Sequence, residues 1–174
     1  MGILSSLFGG SQLWKQYSNN KVYAKYAPTP LPTSKTMTAS YCKANVNNFL
    51  KQFNDSIKIV GSTTKPDTFF YRYDFAVKKG IALIYSRKYV RMTGDNIEKK
   101  TNQLIEHKQE FVRQMIDRVY AEYSEKINKL KTPKSMAKKV DDFEQSFQPF
   151  YDELCQDNIA YIQQVAAQLR QGVI

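Results

Sequence analysis

Histidine is almost missing from this chain: 174 residues contain one, His107. Glu106 and Glu110 lie beside it, but a di-iron bundle needs two Glu-x-x-His units. Structural zinc needs several His or Cys ligands. One histidine supplies neither. A His-dependent triad would have to use His107, and no nucleophile elbow or Cys signature accompanies it. Cysteine is nearly as scarce. Cys42 and Cys155 stand far apart, with no second Cys near either. That excludes a Cys-rich zinc site and argues against a disulfide framework. One Cys42–Cys155 bridge is the only pairing the sequence permits.

Glycine is absent from Asp95 to Gln171. No Gly-rich phosphate loop exists, since Gly9-Gly10 lacks both the spacing and the lysine. No apolar run approaches the roughly 18 residues of a membrane span. Met1 to Phe8 has no basic n-region and too short an apolar run for a secretion signal. Gly2 with Ser6 does fit the loose myristoylation pattern. Paired carboxylates such as Asp141, Asp142, Asp152, Glu153 and Asp157 are what a helix places on its wet face. These absences lead to an expectation of no enzyme activity, no cofactor, no metal and no small-molecule substrate. A reduced, cytoplasmic setting is expected, with peripheral membrane contact left open.

Acidic residues are scarce in one half only. Residues 1–94 hold eleven Lys, three Arg and three acids, whereas residues 95–174 hold nine Lys, three Arg and thirteen acids. The formal charge of +10 therefore belongs to the first half. Such asymmetry suggests that one half meets an anionic partner while the other builds scaffold.

What is present is helical periodicity. Residues 1–36 form an expected tail and linker: apolar Ile3, Leu4, Leu7 and Phe8, then Gly9-Gly10, then a run with Pro28, Pro30 and Pro32. A helical domain is expected over 37–174. Cys42, Val46, Phe49, Leu50, Phe53, Ile57 and Val60 recur at steps of three and four, predicting a helix over about 38–60. Thr64, Pro66 and Asp67 resemble a capping box opening a second helix over about 65–91. Phe69, Tyr71, Tyr73, Phe75 and Val77 also alternate, so a small hairpin at 68–86 is the alternative, which would make the fold α+β.

Beyond Asp95 two apolar stripes run together. Ile105, Val112, Ile116, Val119, Tyr123 and Leu130 form one; Ile97, Leu104, Phe111 and Met115 form the other. Thr132-Pro133 ends that helix and starts the next. Met136, Val140, Phe143, Phe147, Phe150, Leu154, Asn158, Tyr161 and Val165 then follow heptad-like steps, interrupted by Pro149, which should kink or break the helix. The expected fold is all-α: a helical bundle built on a long antiparallel helical hairpin, preceded by two shorter helices.

The run Thr63-Thr64-Lys65-Pro66-Asp67-Thr68-Phe69-Phe70-Tyr71-Arg72-Tyr73-Asp74-Phe75 resembles a segment of uncharacterised helical proteins of Gram-positive bacteria and their mobile elements. The resemblance spans about residues 44–85. In that group the segment links two helices, which implies helix here. A zinc ribbon often precedes it there; this chain has no Cys pairs to build one. No functional residues carry over. A bacterial origin would also empty the myristoylation match of meaning.

Two sets of residues carry the functional expectation. For an anionic partner, nucleic acid or a membrane surface, they are Lys15, Lys21, Tyr23 and Lys25 in the tail and Arg72, Lys79, Arg87, Lys88 and Arg91 on the second helix. Basic residues interleaved with aromatics pair phosphates and stack bases, or sit at lipid headgroups. On a helix, Arg72, Lys79 and Arg87 share one side. The alternative is a structural or adaptor protein using Phe143, Phe147, Phe150 and Leu154 for a partner chain or self-association.

Overall fold

The computed structural model describes the backbone of residues 39–90 and 95–172, and the side chains of residues 50–81 and 97–172. The expected tail and linker, 1–36, lie outside the described residues. The elements in chain order are α1 (Ala39–Val60), α2 (Pro66–Val90), α3 (Asp95–Glu106), α4 (Lys108–Asn128), α5 (Pro133–Gln145), a 3-10 turn (Gln148–Glu153) and α6 (Gln156–Gln171). The fold is all-α, with no strand among the described residues.

Contacts divide the chain into two compact units. The first joins α1 up to Lys58, α2 from Arg72, and α3. The second joins residues 59–71 with everything from His107 onward.

The segment with two possible periodicities is helix. Tyr73 is fully buried while Tyr71 is 65% exposed. A strand would put both on one face. The buried set Phe69, Phe70, Tyr73, Ala76, Val77 and Ile81 follows the helical period instead. The capping detail differs from expectation. Lys65 is the residue whose carbonyl accepts the first helical bond, from Phe69 N–H at 2.9 Å. Thr63 Oγ1 accepts from Lys65 N–H at 3.2 Å. Thr64 does not hold the cap position, which Lys65 occupies. Pro66 holds the first helical position, where its missing N–H costs nothing.

In the first unit, Phe53 of α1, Tyr73, Ala76, Val77 and Ile81 of α2, and Ile97, Leu104 and Ile105 of α3 are the core. Tyr73 donates its hydroxyl to the Leu104 carbonyl. Lys100 reaches Asn54 at 3.1 Å. Ser56 and Thr101 are buried hydroxyls, and each bonds a carbonyl one turn back, Gln52 and Ile97, both at 2.7 Å. Gly80 is where α2 and α3 approach. A Cβ there would overlap Thr101 Oγ1 and stand 3.0 Å from Phe53 Cε2. The glycine that weakens a helix interior by about 1 kcal/mol is what lets these helices touch.

In the second unit the expected hairpin is present in part. α4 ends at Asn128; Thr132 is the N-cap of α5, accepting from Ser135 N–H at 3.3 Å, with Pro133 following. α4 and α5 then run antiparallel, with Tyr123 edge-on to Phe143 at 5.5 Å. Two details differ. The helix expected from 95 to 130 divides at His107, whose φ of −104° and ψ of 24° leave helical geometry. The second arm is not one long helix. α5 stops at Gln145, four residues before Pro149, whose ring would clash with that carbonyl. A 3-10 turn and extended Leu154 and Cys155 follow.

α6 then returns alongside α4 in the parallel sense. Asn158 donates to Gln109 Oε1 at 2.5 Å. Tyr161 donates to Asp117 Oδ1 at 2.6 Å and lies under the Arg113 guanidinium at 3.5 Å. Three helices, up, down and up, therefore enclose Val112, Met115, Ile116, Val119, Val140, Phe143, Phe147, Ile162 and Val165.

Candidate anion-binding surface

The expected basic stripe is only partly within the described residues. Lys15, Lys21, Tyr23 and Lys25 lie outside them, as does Arg91. Arg87 and Lys88 have helical backbone, but their side chains lie outside the described set. Arg72 and Lys79 are half-buried, and neither stands free. The Lys79 ammonium lies 5.3 Å from the Phe75 ring centre, a cation–π contact inside the first unit.

The proposed protein-contact residues have a different place. Phe143 and Phe147 are fully buried and meet edge-on at 5.2 Å. Leu154 is buried as well. Phe150 is half-buried and stacks on Phe70 at 4.7 Å with ring planes 21° apart. The heptad-like spacing marks the interior of this unit. It leaves Phe143 and Phe147 no surface to offer a partner, because α5 is covered by both α4 and α6.

A basic surface does exist, in the half of the chain that is close to neutral overall. Between Lys126 and Lys139 there are six lysines and no acid. They surround the α4–α5 turn. Three of them are neutralised along their own helices. Lys126 pairs with Glu122, Lys129 with Glu125 at 2.6 Å, and Lys139 with Asp142 at 2.9 Å. These are i, i+4 and i, i+3 neighbours, the spacing that brings opposite charges together. The remaining three, Lys131, Lys134 and Lys138, are exposed and have no acidic partner among the described residues. Lys134 and Lys138 are one helical turn apart on α5; Lys131 belongs to the turn itself.

The neighbouring groups fix this end of the unit. Glu122 is held below the usual carboxylate range, first by its hydrogen bond from Lys126, then by that from Thr64. Lys139 is raised by its hydrogen bond to Asp142. Arg118 donates to the carbonyls of Thr63 at 3.1 Å and Val60 at 3.0 Å, closing the end of α1. Burial lowers its pKa, and it remains a cation. Arg170 bonds both Glu144 and Asp141, tying α6 to α5. A groove of about 390 Å³ lies between residues 64–67 and the α4 and α5 region, with Pro66, Tyr123, Pro149 and Phe150 as its apolar lining. Glu122 and Lys126 line it too and cancel each other's charge.

His107 is exposed, with Nδ1 3.6 Å from Glu110 Oε2. Cys155 is a free thiol, and the side chain of Cys42 lies outside the described set. No group of three His, Cys, Asp or Glu gathers as metal ligands among the described residues. No helix among them is long and apolar enough to cross a membrane. No family model, curated protein or solved structure matches the chain.

The lysine cluster is a local feature of the sequence, six lysines within residues 126–139, whose charge the thirteen acids of residues 95–174 offset in the total.

Proposed function

We propose that this chain is a non-enzymatic binding module that presents the α4–α5 turn to an anionic partner. The observation that carries the reading is the set Lys131, Lys134 and Lys138: exposed, close in sequence, and in no ion pair among the described residues, since Asp141 and Asp142, which follow Lys138 on α5, bond Arg170 and Lys139 instead. Lysines on a wet helix face are ordinarily interleaved with acids, as Lys126 and Lys129 are here. Leaving three unpaired around one turn concentrates positive potential where a partner can reach it. The basic first half adds charge of the same sign. An adaptor reading built on Phe143 and Phe147 loses its contact residues to the interior.

The test is retention on a heparin column. The full chain should elute at moderate salt. The triple variant Lys131→Glu, Lys134→Glu, Lys138→Glu should elute much earlier with an unchanged circular dichroism spectrum, since all three side chains are exposed. Unchanged elution of that variant would remove the reading.

A further inference from the structure

Resting on that reading, we infer that the partner is a nucleic-acid duplex, gripped by its phosphates and not read by sequence. Three features of the turn select it among phosphate-bearing surfaces.

The first is the lack of an inserting side chain. The one large hydrophobic residue that is exposed among the described residues is Tyr71 on α2, not a residue of the turn. Membrane-adsorbing segments combine lysines with aromatic or leucine side chains that enter the lipid. At the turn, Leu130 and Met136 are half-buried.

The second is the lack of a stacking platform. Single strands are held largely by bases stacked on aromatic rings. Tyr123, the tyrosine nearest the lysines in sequence, is half-buried against Phe143. Lys126 and Lys139 lie over its ring, at 5.3 and 6.0 Å. Its face is already in use.

The third is the identity of the cations. No arginine lies between Arg118 and Arg170. Arginine is the side chain that most often reads guanine edges with two bonds. Lysine is a mobile point charge suited to phosphate. Lys134 and Lys138, four residues apart, are separated by about 6 Å of helix rise. A duplex presents one charge per roughly 1.7 Å of axis, so three flexible lysines find phosphates in almost any register.

The charge pairing makes the inference sharp. Each phosphate contact contributes about −0.9 to the slope of log K against log salt. In the full chain, each of Lys131→Ala, Lys134→Ala and Lys138→Ala should therefore reduce the magnitude of that slope by about 1. The double variant Glu125→Ala, Lys129→Ala removes an ion pair but no net charge, and should leave the slope where it was.

The experiment is fluorescence anisotropy with a labelled 20-base-pair DNA, its scrambled sequence and the single strand, beside co-sedimentation with phosphatidylserine vesicles. Equal binding to both duplexes, weaker binding to the single strand, and the slope changes above would support the inference. Tighter binding to the single strand would overturn it. So would vesicle binding that needs the three lysines while duplex binding does not, and in that case the anionic-partner reading would stand. If the triple variant also kept full heparin retention, both would fall.

Discussion

Gly80 and Thr101 pack so closely that no side chain fits between them. A Cβ at position 80 would overlap Thr101 Oγ1 and stand 2.9 Å from its Cγ2. Thr101 cannot swing aside freely, because it is fully buried and its hydroxyl is bonded to Ile97 O at 2.7 Å. Gly80→Ala gains about 1 kcal/mol of helix propensity but forces overpacking that typically costs about 1–3 kcal/mol. We expect net destabilisation in urea unfolding. Thr101→Ala in the same chain clears the space, so the double variant should be more stable than the two single effects added together predict.

Arg118 spans two carbonyls at the end of α1, Val60 O and Thr63 O. Arg118→Met keeps the stem and removes both bonds. Hydrogen bonds to charged groups contribute about 1.5–3 kcal/mol, and a loss of that order should appear in the unfolding midpoint. Arg118→Lys should recover only part, because a single ammonium lacks the planar fork that serves both oxygens.

Phe143 is the third prediction. Its side chain is fully buried between Tyr123 and Phe147. Phe143→Ala should cost about 3–5 kcal/mol and leave the mass by light scattering equal to that of the unsubstituted chain. A change of assembly state with little loss of stability would return this residue to a partner surface.

Acid should loosen the second unit through Glu122. Its carboxylate is held below the usual value by Lys126 first and Thr64 second. The folded chain therefore keeps Glu122 ionised at pH values where the unfolded chain takes up a proton. Its contribution is present above about pH 4.3, the ordinary glutamate value, and is lost as pH falls through the lower folded value. Urea midpoints measured between about pH 3 and 6 should fall on the acid side. In Glu122→Gln that fall should be shallower. Because the pair is partly exposed, the effect should also shrink with added salt.

Much of this architecture was legible from local pattern. The helix over 39–60 and the start of α2 followed from steps of three and four and from Pro66. The start of α5 followed from Thr132-Pro133, because capping chemistry depends on neighbours in sequence. Pro149 announced a break. The consequences of that break were not local. Nothing in the spacing of Phe147, Phe150 and Leu154 says that the chain reverses after it, and the alignment of Asn158 with Gln109 is a contact across 49 positions. The phase change on α6, where Ile162 rather than the half-buried Tyr161 is fully enclosed, follows from that reversal.

The candidate surface divides in the same way. By itself the sequence determined that the chain is helical, that it carries net positive charge, and that six lysines crowd residues 126–139. Periodicity, capping and charge are properties of adjacent residues, so they survive without coordinates. Only the tertiary structure decided that Phe143 and Phe147 face inward, that Gly80 is a contact and not a flaw, and that Lys131, Lys134 and Lys138 are the lysines left without an acid. Burial and ion pairing depend on which helix lies opposite, and that is set by packing between segments distant in the chain.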